Sequence, residues 1–409
     1  MQSTVQHPAS PSVEPPELPK PNDSWSAQLL SSFTSVEELA QASLITSDEA
    51  LTLGRLGERF RVRVPRYYAG LMNNSVEGRA SCPIRKQALP ALGEEDPVLP
   101  PWAQEWSRRA FGRREPWTND AIGDVAKLAA PRLTHRYGNR AILHLSSLCA
   151  LYCRFCFRKS HLNDSERTLY DGSLDPALAY LSEHTEIREV ILTGGDPLSL
   201  PDAWLARFLD RLEKISHLKH VRLHSRMGAT LPARLTPELA VLLSDRSYVV
   251  SLVSHFNHPK ELTEFALERL AGLRRRGIPL YNQSVLLRGV NDDDEVLYTL
   301  FQALFENGVM PFYLHQADWT PGTFDFRLPI ARGQALMTQL AGRLSGPALP
   351  HYVLDIPEGG GKISLTGRGV RLIDERSDGK IGGALFEVIT PQTRNDANVP
   401  QLYAEFWKV

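Results

Sequence analysis

The chain has 409 residues, 46 Lys and Arg against 47 Asp and Glu, and a hydrophobic content of 42%. That length buries a sizeable core, in one large domain with elaborations or in two smaller ones, while the balanced charge gives no global attraction to nucleic acid or an acidic partner. No apolar stretch approaches the roughly 20 residues of a membrane span, so neither a membrane nor a nucleic acid is expected as partner.

In chain order, residues 1–25 are rich in Pro and Ser and poor in large apolar residues, which reads as a disordered tail. They also lack the charged and apolar regions of a signal peptide. Three of the four cysteines fall in one cluster, so no framework of paired disulfides is expected, and the chain reads as a reduced, cytoplasmic protein. Residues 26–135 form an N-terminal region. It begins with short helices capped by Ser and Asp in "SVEELAQASLITSDEALTLGRLGERFRVRVPRYYAGLMN" and becomes irregular and Pro- and Arg-rich from about residue 75.

A regular alternation follows over residues 136–362. Apolar, β-branched segments recur as "RAILHLSS", "EVILTGG", "HVRLHSR", "SYVVSLVSH", "PLYNQSVLL", "VMPFYLHQ" and "HYVLDIPE". Amphipathic helical patterns such as "PDAWLARFLDRLEKIS" and "DDEVLYTLFQALFENG" separate most of them. Strand and helix at this spacing predict an α/β fold of parallel units, either a complete or partial (β/α) TIM-type barrel or a doubly wound sheet. Polar or Gly-rich residues at the end of nearly every strand favour the barrel, where βα loops converge on one shared site. Residues 363–409 alternate with Gly-containing turns and predict a C-terminal β extension.

The first strand runs into Cys149, Cys153 and Cys156, spaced C-x3-C-x2-C. A structural zinc site would need a fourth ligand, from His144 or His161, and usually a second knuckle that this chain lacks. Three thiolates suit instead a [4Fe–4S] cluster with one iron left open. After the second strand comes "LTGGDPL", with Gly194, Gly195 and Asp196 in a tight βα turn. After the last comes "DIPEGGGK", whose Lys362 follows three glycines without forming a phosphate-binding P-loop.

These three motifs together resemble the lysine 2,3-aminomutase family of the radical S-adenosylmethionine (SAM) superfamily. The likeness extends through "CPIRKQALP", "PRLTHRYGNRAIL", "SHFNHPKELTE", "NQSVLLRGVND" and "FYLHQAD". It implies a partial barrel with N-terminal helical and C-terminal β extensions, and SAM and pyridoxal 5′-phosphate (PLP) as cofactors beside the cluster. Cys149, Cys153 and Cys156 would hold the cluster, and Gly194, Gly195 and Asp196 would cradle SAM. Lys362 would hold PLP as a Schiff base, with Arg136, Tyr137 and Arg140 helping to bind it. Arg158 would take the substrate carboxylate, and Asp318 and Asp355 a distal cation. The implied activity is an isomerase, an amino-acid 2,3-aminomutase taking L-lysine to β-lysine. Arginine or ornithine are alternative substrates, as is a lysine on a translation factor. A zinc-containing binding protein is the alternative from another class. A flavodoxin- or ferredoxin-like electron donor and a homo-oligomeric assembly are expected.

Departures accompany the likeness. No cysteine follows Cys156, and Asp293 stands where relatives carry a barrel cysteine, so the family's structural zinc is expected to be missing. "SRMGAT" departs from "SRxPV", Glu358 replaces a glycine, and Trp319 follows the substrate aspartate. These changes are expected to reshape the pocket.

Overall fold

The computed structural model describes residues 24–59, 61–73, 75, 78–79, 81–163, 168–367, 369–391 and 400–409. The tail expected over residues 1–25 lies outside them, except for Ser24 and Trp25. Those two open the helix Trp25–Leu30, where Ser24 Oγ accepts the Ala27 N–H at 3.2 Å.

Ten strands form one sheet whose spatial order is the chain order. They are β1 (Leu128–Ala130), β2 (Leu133–Tyr137), β3 (Arg140–Ser146), β4 (Glu189–Gly194), β5 (His220–Ser225), β6 (Val249–Ser254), β7 (Leu280–Leu286), β8 (Met310–Gln316), β9 (His351–Ile356) and β10 (Gly361–Ser364). Strands β3 to β9 run parallel, while β1, β2 and β10 pair antiparallel at the two margins. A doubly wound sheet reverses its strand order at a switch point. This sheet never does, so it curls as a barrel. Among the described residues no ladder joins β10 back to β1, and the barrel is partial.

Alternation of side chains along each strand sorts the two faces. On β4, Val190 and Leu192 are fully buried under the helices while Ile191 and Thr193 face the central cavity. On β5, Val221 and Leu223 go outward, and Arg222 and His224 go inward. On β9, Tyr352 and Leu354 are core, and Val353 and Asp355 line the cavity. The outer layer includes helices Asp202–Glu213, Glu264–Arg275 and Asp294–Glu306. Asp293 is the N-cap of the last, its Oδ1 accepting the N–H of Glu295 at 3.0 Å and of Val296 at 3.2 Å. A cap of this kind is worth about 1 kcal/mol, which gives the residue a structural reason for its place.

Strands β11 (Val370–Ser377), β12 (Ile381–Ile389) and β13 (Pro400–Lys408) form a separate antiparallel sheet. It rests on a helix, Pro101–Phe111, through Trp102 against Phe406 and Phe111 against Tyr403, with ring centroids 6.1 and 5.7 Å apart. This helix corrects the reading of residues 75–135 as irregular. Its limits obey simple rules, with Pro at its first position and Gly112 at φ +70° just past its end.

Candidate active site

The loop after β3 carries Cys149, Cys153 and Cys156 to the wall of a cavity of about 790 Å³ at the barrel mouth. All three are free thiols. Buried contacts fix the loop. The N–H of Tyr152 donates to Arg63 O at 3.1 Å and that of Arg154 to Gln87 O at 2.9 Å. The Arg154 guanidinium forks onto Glu94 at 2.9 and 2.6 Å, and Lys159 Nζ donates to Arg154 O and Gly322 O. Burial, with Cys153 adding to it, pushes Cys156 up to about 11, and burial, followed by the Asp196 charge and the neighbouring thiols, pushes Cys149 well above the usual thiol range. Cys149 and Cys156 therefore give up their protons readily only when a metal centre balances the charge. Among the described residues no three His, Cys, Asp or Glu side chains converge on a point that one metal ion would fill. Three cysteines on one cavity wall fit a cluster, in which each takes its own iron.

Neither histidine considered as a fourth zinc ligand lines this cavity. His144 is fully buried against Thr134 Oγ1 at 3.0 Å, and His161 lies 4.0 Å from Asp120. Cys82 is elsewhere too, its sulfur accepting the Asn73 N–H at 3.2 Å.

The turn after β4 is glycine for steric reasons. A Cβ on Gly194, at φ +120°, would stand 2.6 Å from Ser146 O, and one on Gly195 would stand 2.6 Å from Leu148 O. The turn is thereby pressed against the cysteine loop, and the Asp196 N–H donates to Leu148 O at 2.8 Å. The Asp196 carboxylate accepts from Leu198 N–H at 2.9 Å, Ser225 Oγ at 3.0 Å and Arg226 N–H at 2.8 Å. Burial raises it to about 6. It ties the ends of β4 and β5 together at the cavity wall.

Arg158 is buried and already partnered. Its Nε and Nη2 donate to Asp124 Oδ2 at 2.9 and 2.7 Å, and Nη1 donates to Thr193 Oγ1 at 3.2 Å. Three of five donors are thus engaged. Asp124 also lies 3.6 Å from Arg136, whose guanidinium donates to Ile122 O. The adjacent guanidinium of Arg158, followed by His144 and Arg136, keeps Asp124 below the usual carboxylate range despite its burial. Sequence reasoning missed Asp124, which stands in a stretch without periodicity. Arg140 stacks on the Tyr137 ring at 3.8 Å, and the Tyr137 hydroxyl accepts the Lys362 N–H at 2.7 Å. Arg222, also missed, lines the same cavity.

The register of the β9–β10 hairpin sets Lys362 directly opposite Asp355, and their side chains form an ion pair. His315 Nδ1 lies 3.3 Å from both Lys362 Nζ and Asp355 Oδ2. Though burial opposes it, the Lys362 ammonium holds Asp355 well below the usual carboxylate range. Asp318 shares the cavity but forms no ion pair among the described residues, and burial plus the Asp355 charge raises it to about 7 against the weaker pull of Lys362, Arg327 and Arg158. His315 was not singled out in the sequence, although it lies three residues before Asp318.

Asp318 makes a pH prediction. Its folded value is raised from 3.8, so between about pH 4 and pH 7 the folded protein keeps a proton that the unfolded chain releases. Stability from this group therefore falls as pH rises through that window. Asp318→Asn removes the penalty and should stabilise the ligand-free protein at pH 8 by on the order of 1 kcal/mol or more, with a smaller gain at pH 5. Denaturant melts at the two pH values measure it, and a gain equal at both would refute the assignment.

Two expected pocket changes are corrected. Trp319 is core, 2% exposed, with Nε1 donating to Ala404 O at 3.2 Å and Arg327 stacked 3.5 Å above its ring. It faces the C-terminal sheet and is not a cavity residue. Glu358 adopts φ +60°, a left-handed conformation that glycine takes more readily, and pairs outside with Arg113 at 2.7 Å.

A family profile described as the Radical SAM superfamily matches residues 143–301. The chain is 34% identical over 345 residues to the L-lysine 2,3-aminomutase of Escherichia coli (strain K12), covering 84% of this chain and 94% of that protein. It is 34% identical to the L-lysine 2,3-aminomutase of Clostridium subterminale, over 83% and 77% of the two chains. The glutamate 2,3-aminomutase of Clostridioides difficile (strain 630) is 32% identical, over 84% and 76%.

Proposed function

The chain belongs to the lysine 2,3-aminomutase family of radical SAM enzymes, and we propose that it is a PLP-dependent amino-acid 2,3-aminomutase converting L-lysine to β-lysine. The radical SAM domain brings a [4Fe–4S] cluster and SAM, and an isomerase activity goes with the family. PLP, when bound, supplies the C=N bond across which an amino group can migrate between adjacent carbons.

In this reading Cys149, Cys153 and Cys156 hold the cluster, and the Gly194–Gly195–Asp196 turn receives SAM. Lys362 would hold PLP as a Schiff base, with Arg140 and Tyr137 helping to bind it while Arg136 braces Asp124. Arg158 keeps two donors for the substrate carboxylate. The observation that carries the substrate is the pair of carboxylates, Asp318 and Asp355, facing one cavity beside Lys362. Were Lys362 to hold PLP, its ammonium would no longer be reserved for Asp355, and the two carboxylates could take the distal cation of a lysine side chain. Arginine and ornithine carry the same kind of charge. A glutamate side chain would bring a third carboxylate, and like charges repel.

Leaving a buried charge unpaired costs on the order of 3–5 kcal/mol. Discrimination against leucine or glutamate should therefore be roughly a hundredfold or more, at about 1.4 kcal/mol per factor of ten. An anaerobic assay with SAM, a reductant and a panel of amino acids, read by mass spectrometry, measures this. Asp355→Asn should weaken lysine turnover far more than substrate-free SAM cleavage, and Arg158 variants should impair every substrate alike. Efficient turnover of an uncharged amino acid, indifferent to Asp318→Asn and Asp355→Asn, would sink the reading.

A further inference from the structure

We propose that Arg226 sets the reduction potential of the iron–sulfur cluster by donating a hydrogen bond to the Cys153 sulfur. Its Nη1 lies 2.7 Å from Cys153 Sγ. The residue follows the end of β5 in the "SRMGAT" segment, and its guanidinium stands 5.0 Å from the centre of the Phe155 ring.

The arginine is anchored through its other terminal nitrogen. Its Nη2 donates to Gln87 Oε1 at 2.6 Å, Glu261 Oε1 at 2.8 Å and Tyr68 Oη at 3.3 Å. Those partners are themselves fixed. The Tyr68 hydroxyl donates to Glu261 Oε1 at 2.6 Å, Glu261 Oε2 accepts the N–H groups of Asn257 and His258, and Asn257 Nδ2 donates to Gln87 Oε1 at 2.9 Å. Glu261, Gln87 and Asn257 are fully buried. Tyr68 and Gln87 come from the N-terminal helices, and Glu261 and Asn257 come from the loop after β6. Two layers of the protein thus converge to aim one donor at one sulfur.

The chemistry follows from charge. Reduction adds one electron and no proton to the cluster, so a donor that stabilises negative charge on a sulfur ligand favours the reduced state. Glu261 partly cancels the arginine charge and so works in the opposite direction. A planar guanidinium can serve Glu261 and Gln87 through one nitrogen while offering the other to sulfur. A lysine ammonium is a point charge without that fork.

The inference rests on the assignment of the three cysteines to the cluster, which iron and sulfide analysis of the anaerobic wild-type protein tests separately. The decisive experiment is a dithionite titration of cluster-loaded protein with redox mediators, followed by electron paramagnetic resonance. Arg226→Met should make reduction about tenfold less favourable, a fall of about 59 mV for a one-electron couple. Glu261→Gln should shift the potential upward, and Arg226→Lys should fall between Arg226→Met and wild type. Opposite shifts at two neighbouring residues are not what a purely structural role would give. An unmoved midpoint in Arg226→Met with its iron retained overturns the proposal, as do shifts of the same sign. Should Arg226→Met fail to hold a cluster, Glu261→Gln decides, and an unchanged or lowered potential there overturns it.

Discussion

A Cys153→Ala protein, prepared without oxygen and supplied with SAM and a strong reductant, is expected to release no 5′-deoxyadenosine above background. The loss should be complete because the three thiols act as a unit. Cys149, Cys153 and Cys156 are all on the cavity wall, and Cys82, which does not line it, is buried beside Asn73. Two thiolates leave two irons without protein ligands, and the cluster falls apart rather than losing a fraction of its activity. The wild-type protein should hold about four irons per chain and lose its brown colour on oxidation. Stoichiometric zinc with no iron in the wild-type protein, or undiminished SAM cleavage in Cys153→Ala, would contradict the cluster.

The barrel was legible in the sequence because its signals are local. Each of the seven apolar segments is a strand, and polar residues from most of their ends line the cavity, since period-two alternation and strand polarity need no tertiary knowledge. Arg158, Asp318, Asp355 and Lys362 share that cavity for the same reason. Where the reading failed, the deciding contact was distant in sequence. Helix Pro101–Phe111 is stabilised by Phe406 and Tyr403, some 300 residues away. Asp124 has no pattern around it, and only folding brings it to Arg158. The direction of Trp319 is set by Arg327 and Ala404, which a single-residue departure from a family pattern cannot reveal.

Lys362→Ala should lose all covalent capture of PLP, seen as the absence of borohydride-trapped cofactor and of the wild-type chromophore. Two lysines deserve comparison. Burial lowers Lys159 to about 8, so its amine frees itself more readily than an ordinary lysine. Acidity alone would favour it as the nucleophile. Geometry decides otherwise. Lys159 Nζ is spent on the carbonyls of Arg154 and Gly322, and it does not line the cavity. Lys362 is the one lysine among the described cavity residues. Its nitrogen pairs with Asp355 and lies beside His315 Nδ1 on the cavity wall, and an amine there is placed to add to an aldehyde. The backbone supports that placement, because Tyr137 holds the Lys362 N–H and the ladder to β9 fixes the side chain toward the lumen. Peptide mapping after reduction should therefore place the label on the peptide containing Lys362. Label on Lys159, or full trapping in Lys362→Ala, would show that acidity outweighs position.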